Sequence, residues 1–223
     1  MSNNLINKGG FYNLSDFSGD LVIEVSDKVV IFDDGRNEIE KIEILGKTDL
    51  KIFGFIQKSR NLEIISIGEK TNSLINYIFL GKNEEKIISN INGKIKKSGN
   101  ILEINILGLL DDNSTLSLDS GINIEKNISK STGITNSEII FLSNKAKFTG
   151  IPGLKVSSND VKANHSLKID KINDESIFYL QARGLDKENS RNMLLKAKID
   201  ELYKILRLCN QNLYEEIINK IFL

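Results

Sequence analysis

Up to about residue 172 the chain is a succession of short isoleucine-rich runs broken by Gly, Asn, Asp and Lys. The runs occupy residues 21–25, 29–32, 39–45, 50–53, 62–67, 74–80, 101–107, 122–124 and 139–142. A β-branched side chain alternating with polar neighbours fits a pleated surface buried on one face. Turn residues fall between the runs at Asp33-Asp-Gly35, Gly81-Lys-Asn83, Asn92-Gly93 and Asp111-Asp-Asn113. Strands spaced roughly ten residues apart build a sandwich, a barrel or a solenoid, and periodicity does not choose among them. No familiar solenoid repeat signature is present. Asn and Ser at inward-looking or corner positions, where stacked coils form side-chain ladders, lean toward the solenoid.

The period changes at residue 172. Asn173 or Asp174 is a good N-cap, Ile177, Phe178 and Leu180 supply an apolar face, and Gly184 is a natural stop. Asp186 caps a second helix, whose stripe is read as Leu194, Ala197, Leu202, Ile205 and Cys209. Asn210-Gln-Asn212 interrupts it, and Leu213, Ile217, Ile218 and Ile221 form the face of a last helix. The chain divides into an N-terminal segment 1–19, a β core 20–172 and a helical part 173–223. Phe178 is expected in the core between helix and β core.

Composition removes several classes of function. Thirty Lys+Arg balance thirty Asp+Glu, so no net field draws nucleic acid or an anionic membrane. No run approaches the roughly 18 apolar residues of a membrane span, and the first residues lack the apolar stretch of a signal peptide. A single cysteine forms no internal disulfide, and a cytoplasmic protein is expected. One histidine and one cysteine in separate segments cannot make a zinc site. No Cys-x-x-Cys, phosphate loop or nucleophile elbow is present. Any metal chemistry would have to borrow ligands from another chain.

The one histidine lies in Val161-Lys-Ala-Asn-His165-Ser-Leu-Lys-Ile-Asp170. Before it stand Ile140-Phe-Leu-Ser-Asn-Lys-Ala-Lys147 and Ile151-Pro-Gly-Leu-Lys-Val156, and after it Phe178-Tyr-Leu-Gln-Ala-Arg-Gly184. In this order and spacing the motifs resemble the C-terminal core of the SufB/SufD family, scaffold subunits of bacterial iron–sulfur cluster assembly. Weaker similarity reaches back to about Ile101. The resemblance implies a mainly β fold, a right-handed parallel β-helix followed by a C-terminal helical tail. It implies a non-catalytic subunit, not an enzyme, that pairs with a SufB/SufD-like subunit and binds a SufC-type ATPase. No cofactor is expected to be held stably by the chain alone; a transient iron–sulfur cluster at the subunit interface is implied. The family's interface histidine maps onto His165, as a metal ligand or assembly residue. A strand cap or plain interface residue is the competing reading of His165, and both stay open. The ATPase contact maps onto the tail: Tyr179, Arg183, Gly184, Asp186 and Glu188. Tyr179 and Arg183, four apart on one face, either pair locally or face the ATPase. Removing everything after Gly184 is expected to abolish that contact and leave the β-helix soluble.

The chain departs from the family pattern at its thiols. Ser137 stands where SufB-type chains carry a cysteine, Ala163 where SufD-type chains often do, and Asn164 and Ser166 replace flanking glutamates. The chain is therefore SufD-like by default, and thiolate chemistry falls to a partner. Homodimer and heterodimer stay equally open. Cys209, on the apolar stripe, is read as a small buried hydrophobe. The alternative to a scaffold is a β-helix structural or ligand-binding protein that has lost the assembly role.

Overall fold

The computed structural model describes residues 4–222. The strands fall into two seven-stranded parallel sheets, and the chain passes from one to the other at every step. The first sheet holds β1 (Leu5–Ile6), β3 (Leu21–Ile23), β5 (Lys41–Ile44), β7 (Asn61–Ser66), β9 (Lys86–Ile95), β11 (Thr115–Ile124) and β13 (Lys147–Val156). The second holds β2 (Gly10–Asn13), β4 (Lys28–Asp33), β6 (Asp49–Ile56), β8 (Asn72–Gly81), β10 (Ile101–Leu110), β12 (Ser129–Phe141) and β14 (Asp160–Lys171). Each coil gives one strand to each sheet, which is a parallel β-helix. Residues 5–13, inside the segment set apart at 1–19, already supply the first strand of each sheet, and Ile6 is buried in the common core.

Stacking in register explains the isoleucines. Ile31 lies on Ile52, Ile52 on Ile75 and Ile75 on Ile104, all without solvent exposure inside the coil. Each such side chain contributes about 1.5–3 kcal/mol by burial. One expected turn is instead strand: Asn92-Gly93 lies in the middle of β9. Gly93 faces the interior, where a Cβ would come within 2.4 Å of Leu102 Cδ2. There glycine answers to packing rather than to a turn.

A buried ionic group sits among the middle coils. Asp33 Oδ2 accepts from Arg60 Nε at 2.7 Å and from Tyr77 Oη at 2.6 Å. Its Oδ1 accepts from the Gly35 N–H and Asn37 Nδ2, each at 2.9 Å. Arg60 Nη1 donates to the carbonyls of Ile39 and Asn61. Burial first, then the Asp33 carboxylate, pushes the Tyr77 hydroxyl well above its ordinary value, which keeps it a donor. Gly54 makes room for the Tyr77 ring, since a Cβ there would lie 2.1 Å from it.

The tail comprises α1 (Asp174–Gln181), α2 (Lys187–Cys209) and α3 (Gln211–Phe222). Asn173 caps α1 by accepting from the Glu175 N–H, and Asp186 caps α2 by accepting from the Asn189 N–H. Gly184 ends the first helical stretch at φ +95°, its N–H donating to the Gln181 carbonyl. Helices α2 and α3 cover the outer face of the second sheet and make a second core. Val30, Phe32, Phe53, Phe55, Ile78, Leu80, Leu107, Leu109 and Ile140 face Leu195, Ile199, Tyr203, Leu206, Tyr214, Ile217 and Ile221.

Three expectations about the tail are corrected. The buried stripe of α2 is Leu195, Ile199, Tyr203 and Leu206, offset by one or two residues from the one read above. Tyr203 sets this rotation: its ring packs edge-on against Phe53 at 5.6 Å and its hydroxyl donates to the Gly54 carbonyl. In consequence Cys209 is exposed rather than buried. Phe178 is also outside the core, 72% exposed, because α1 presents only Ile177 to it.

Candidate functional site at the open end of the solenoid

The two ends of the stack differ. At the start the edge strands are two and four residues long, and a 3-10 turn at Leu14–Asp16 buries Leu14 beside them. At the finish β13 and β14 run for ten and twelve residues and have no further strand beside them among the described residues. No residue of either is fully buried, and Ile151 is 80% exposed. Two long, parallel, unpaired edges form a template for another chain.

His165 stands in that opening. The interior row continues from Ile104 to Thr135 and then to His165. Its Nδ1 lies 3.0 Å from the carbonyl oxygen of Pro152 on β13, a bridge between the two sheets. A carbonyl only accepts, so Nδ1 carries the proton, and in the neutral ring Nε2 holds the lone pair. Metal-binding histidines are commonly oriented this way, by a carbonyl on the second nitrogen. Around this point the interior changes from isoleucine to hydroxyl. Thr135 is buried, and Ser137 meets Ser120 of the opposite sheet, oxygen to oxygen at 3.4 Å. Ser137 is thus buried in the interior, opposite Leu167 of β14. Ala163 lies opposite Gly133, Asn164 opposite Ile134 and Ser166 opposite Asn136. Among the described residues no three His, Cys, Asp or Glu side chains are grouped to hold a metal. The chain offers a single nitrogen.

Two side-chain systems lie beside this opening; the sequence pointed to side-chain ladders in general but to neither place. One is an amide ladder on the outer face of the second sheet. Asn76 Nδ2 donates to the Leu202 carbonyl of α2, Asn105 to Asn76, Asn136 to Asn105, and the Ser166 hydroxyl to Asn136, at 2.8–3.1 Å. Its signal was asparagine at matching places in successive strands, legible only once the register is known. The other is an ion cluster: Glu138 Oε1 accepts from Lys198 of α2 at 2.7 Å and from Lys168 of β14 at 3.2 Å, and Lys168 also meets Asp170 at 3.0 Å. Both systems line an open cavity of about 670 Å³ between the sheet and α2.

Burial alone would raise the Glu138 carboxyl, yet Lys198 and Lys168 hold it below its ordinary 4.5. A depressed acid stabilises the fold above its unfolded-state value and loses that contribution as pH falls through the folded one. The melting-temperature gap between wild type and Glu138→Gln should therefore be constant near neutrality and shrink below about pH 4.5. A gap that widens in acid would contradict this assignment.

The tail residues form a separate exposed group, with no hydrogen bond or ion pair to His165 among the described residues. The Arg183 guanidinium lies 4.4 Å from the centre of the Tyr179 ring, so these two do pair locally. Asp186 is engaged as the α2 cap, and backbone and side-chain hydrogen bonds from Asn189 hold its carboxyl below the ordinary range. Gly184 and Glu188 flank it at the surface. Phe178 and Met193, both exposed, add apolar area to the tail.

Residues 52–198 match the family model described as SUF system FeS cluster assembly, SufBD core domain. The chain is similar to iron-sulfur cluster assembly protein SufD of Escherichia coli (strain K12), 28% identical over 100 residues, covering 45% of this chain and 23% of that protein. It is similar to SufD of Bacillus subtilis (strain 168), 29% identical over 89 residues, covering 40% and 20%. Against SufB of the same organism the figures are 26% over 69 residues, covering 31% and 15%. The matched stretches span less than a quarter of these relatives' length.

Proposed function

The chain belongs to the SufBD core family, and we propose that it is a non-catalytic scaffold subunit of SUF iron–sulfur cluster assembly. The observation that carries this reading is the open end: two long strands, each with one edge unpaired among the described residues, and the chain's one histidine bridging them. A SufB/SufD-like subunit pairs along β13 and β14, and the nascent cluster is cargo at that junction. His165 contributes Nε2, its ring oriented by the hydrogen bond from Nδ1 to the Pro152 carbonyl. Neutral imidazole is a suitable iron ligand, and the remaining ligands, thiolates included, come from the partner. A SufC-type ATPase binds the exposed tail around Phe178, Tyr179, Arg183, Gly184, Asp186 and Glu188. None of these residues performs ATP hydrolysis.

The test is His165→Ala in a strain lacking its own copy. Cluster assembly should fall sharply, while co-purification of a SufC-type ATPase is unchanged. Stability should move by no more than about 0.5 kcal/mol, because the ring is exposed and makes one hydrogen bond. Full complementation would remove His165 from the function and favour a fold relative without the assembly role. That alternative draws on Ser137, which bonds Ser120 where the resemblance gives SufB-type chains a thiol.

A further inference from the structure

We propose that Glu138 is a positioning residue: through Lys198 it makes the order of the His165-bearing edge β14 depend on helix α2, while the companion edge β13 stays independent. Its functional meaning rests on the reading above, but its physical content concerns this chain alone.

Strand β14 is exposed or half-buried along its whole length, so little packing holds it. Inward, Val161 and Leu167 pack partly against the core; beyond these and its backbone ladder to β12, its outward side chains supply further attachment. Ser166 is tied to α2 through three asparagines, ending on the Leu202 carbonyl. Lys168 is tied to α2 in a single step, because one oxygen of Glu138 accepts from both Lys168 and Lys198. Asp170 completes the cluster from the same strand. The charged groups around Glu138 are thus Lys198 from α2 and Lys168 and Asp170 from β14. Strand β13 has no such link. It pairs with β11, its bond to His165 leads back to β14, and the tail covers the other sheet.

The consequence is a one-sided coupling. A ligand that displaces α2 loosens the strand carrying His165, and a partner that orders this strand favours the undisplaced helix, by the reciprocity of linked equilibria. Two unpaired edges of similar length therefore have unequal roles. One answers to the tail and the other serves as a fixed rail.

Hydrogen exchange of the full chain, read strand by strand, decides the matter without any partner. Lys198→Met removes the cation and keeps the aliphatic stem; Lys198→Arg keeps the charge; Lys196→Met alters an exposed lysine elsewhere on α2. In Lys198→Met the β14 amides bonded to β12 should exchange roughly two- to fivefold faster. Those of β13 bonded to β11 should keep the wild-type rate, and Lys198→Arg and Lys196→Met should leave both strands slow. Unchanged β14 protection in Lys198→Met would overturn the proposal. So would equal acceleration of β13 and β14, which marks general destabilisation. Because the readout uses neither cluster nor ATPase, its failure is distinguishable from failure of the scaffold reading.

Discussion

Truncation after Gly184 should drive the β-helix into the insoluble fraction, against the expectation drawn from sequence that it would stay soluble. The deletion uncovers Val30, Phe32, Phe53, Phe55, Ile78, Leu80, Leu107, Leu109 and Ile140 together, one continuous apolar face on the second sheet. At about 1.5–3 kcal/mol for each fully buried side chain, even half that sum rivals the whole 5–15 kcal/mol stability of an ordinary domain. An apolar face of this kind beside free strand edges also promotes association. Expression of residues 1–184 with sedimentation of the lysate is the measurement. A soluble, monomeric fragment melting near the wild-type temperature would show that the second core contributes little. The deletion is therefore unsuited to mapping the ATPase contact, for which point changes on the exposed tail are required.

The second large effect is expected inside the coil. Asp33→Ala removes the carboxylate from an Arg60 side chain that is only 4% exposed and leaves the Tyr77 hydroxyl without its acceptor. Stranding one member of a buried ion pair costs about 3–5 kcal/mol. Replacing both members, as Asp33→Leu with Arg60→Met, should cost clearly less, because no orphaned charge remains. Urea unfolding of the single and double variants reads the difference. A single variant within about 1 kcal/mol of wild type would mean that water or a shifted partner relieves Arg60.

Strands were legible where isoleucine alternation, a local property, marked a run; β9, β13 and β14 fell outside those runs. The coil was not, because its length drifts. Hydrogen-bonded partners on adjacent coils lie 23 residues apart between Asp49 and Asn72, 29 between Asn61 and Asn90, and 31 between Asn105 and Asn136. No fixed repeat exists to be found. The family resemblance supplied the architecture that periodicity left open. Helix ends were readable from caps, at Asn173, Asp186 and Gly184, since caps are also local. The α2 stripe was misread by one or two positions because Tyr203, polar at its tip, is buried through a bond to the Gly54 carbonyl far away in sequence. His165 was picked out as the lone histidine in a matched motif. Its place in an opening follows from β14 being the last strand of its sheet, which no local pattern reports.

The splint-like placement of α2 and α3 has a thermodynamic consequence. A bare stack of coils is quasi-one-dimensional, each coil stabilised only by its neighbours and able to fray from either end. Here the two helices lie across β4, β6, β8, β10 and β12 at once, through side chains from Val30 to Ile140. Losing any one of those strands costs contacts with a helix that also grips the other four. The five middle coils therefore unfold as one cooperative unit. The final coil adds no strand side chain to that buried apolar core, and β14 reaches α2 through the Glu138 cluster and the amide ladder alone, so this strand can loosen while the rest of the molecule stays native.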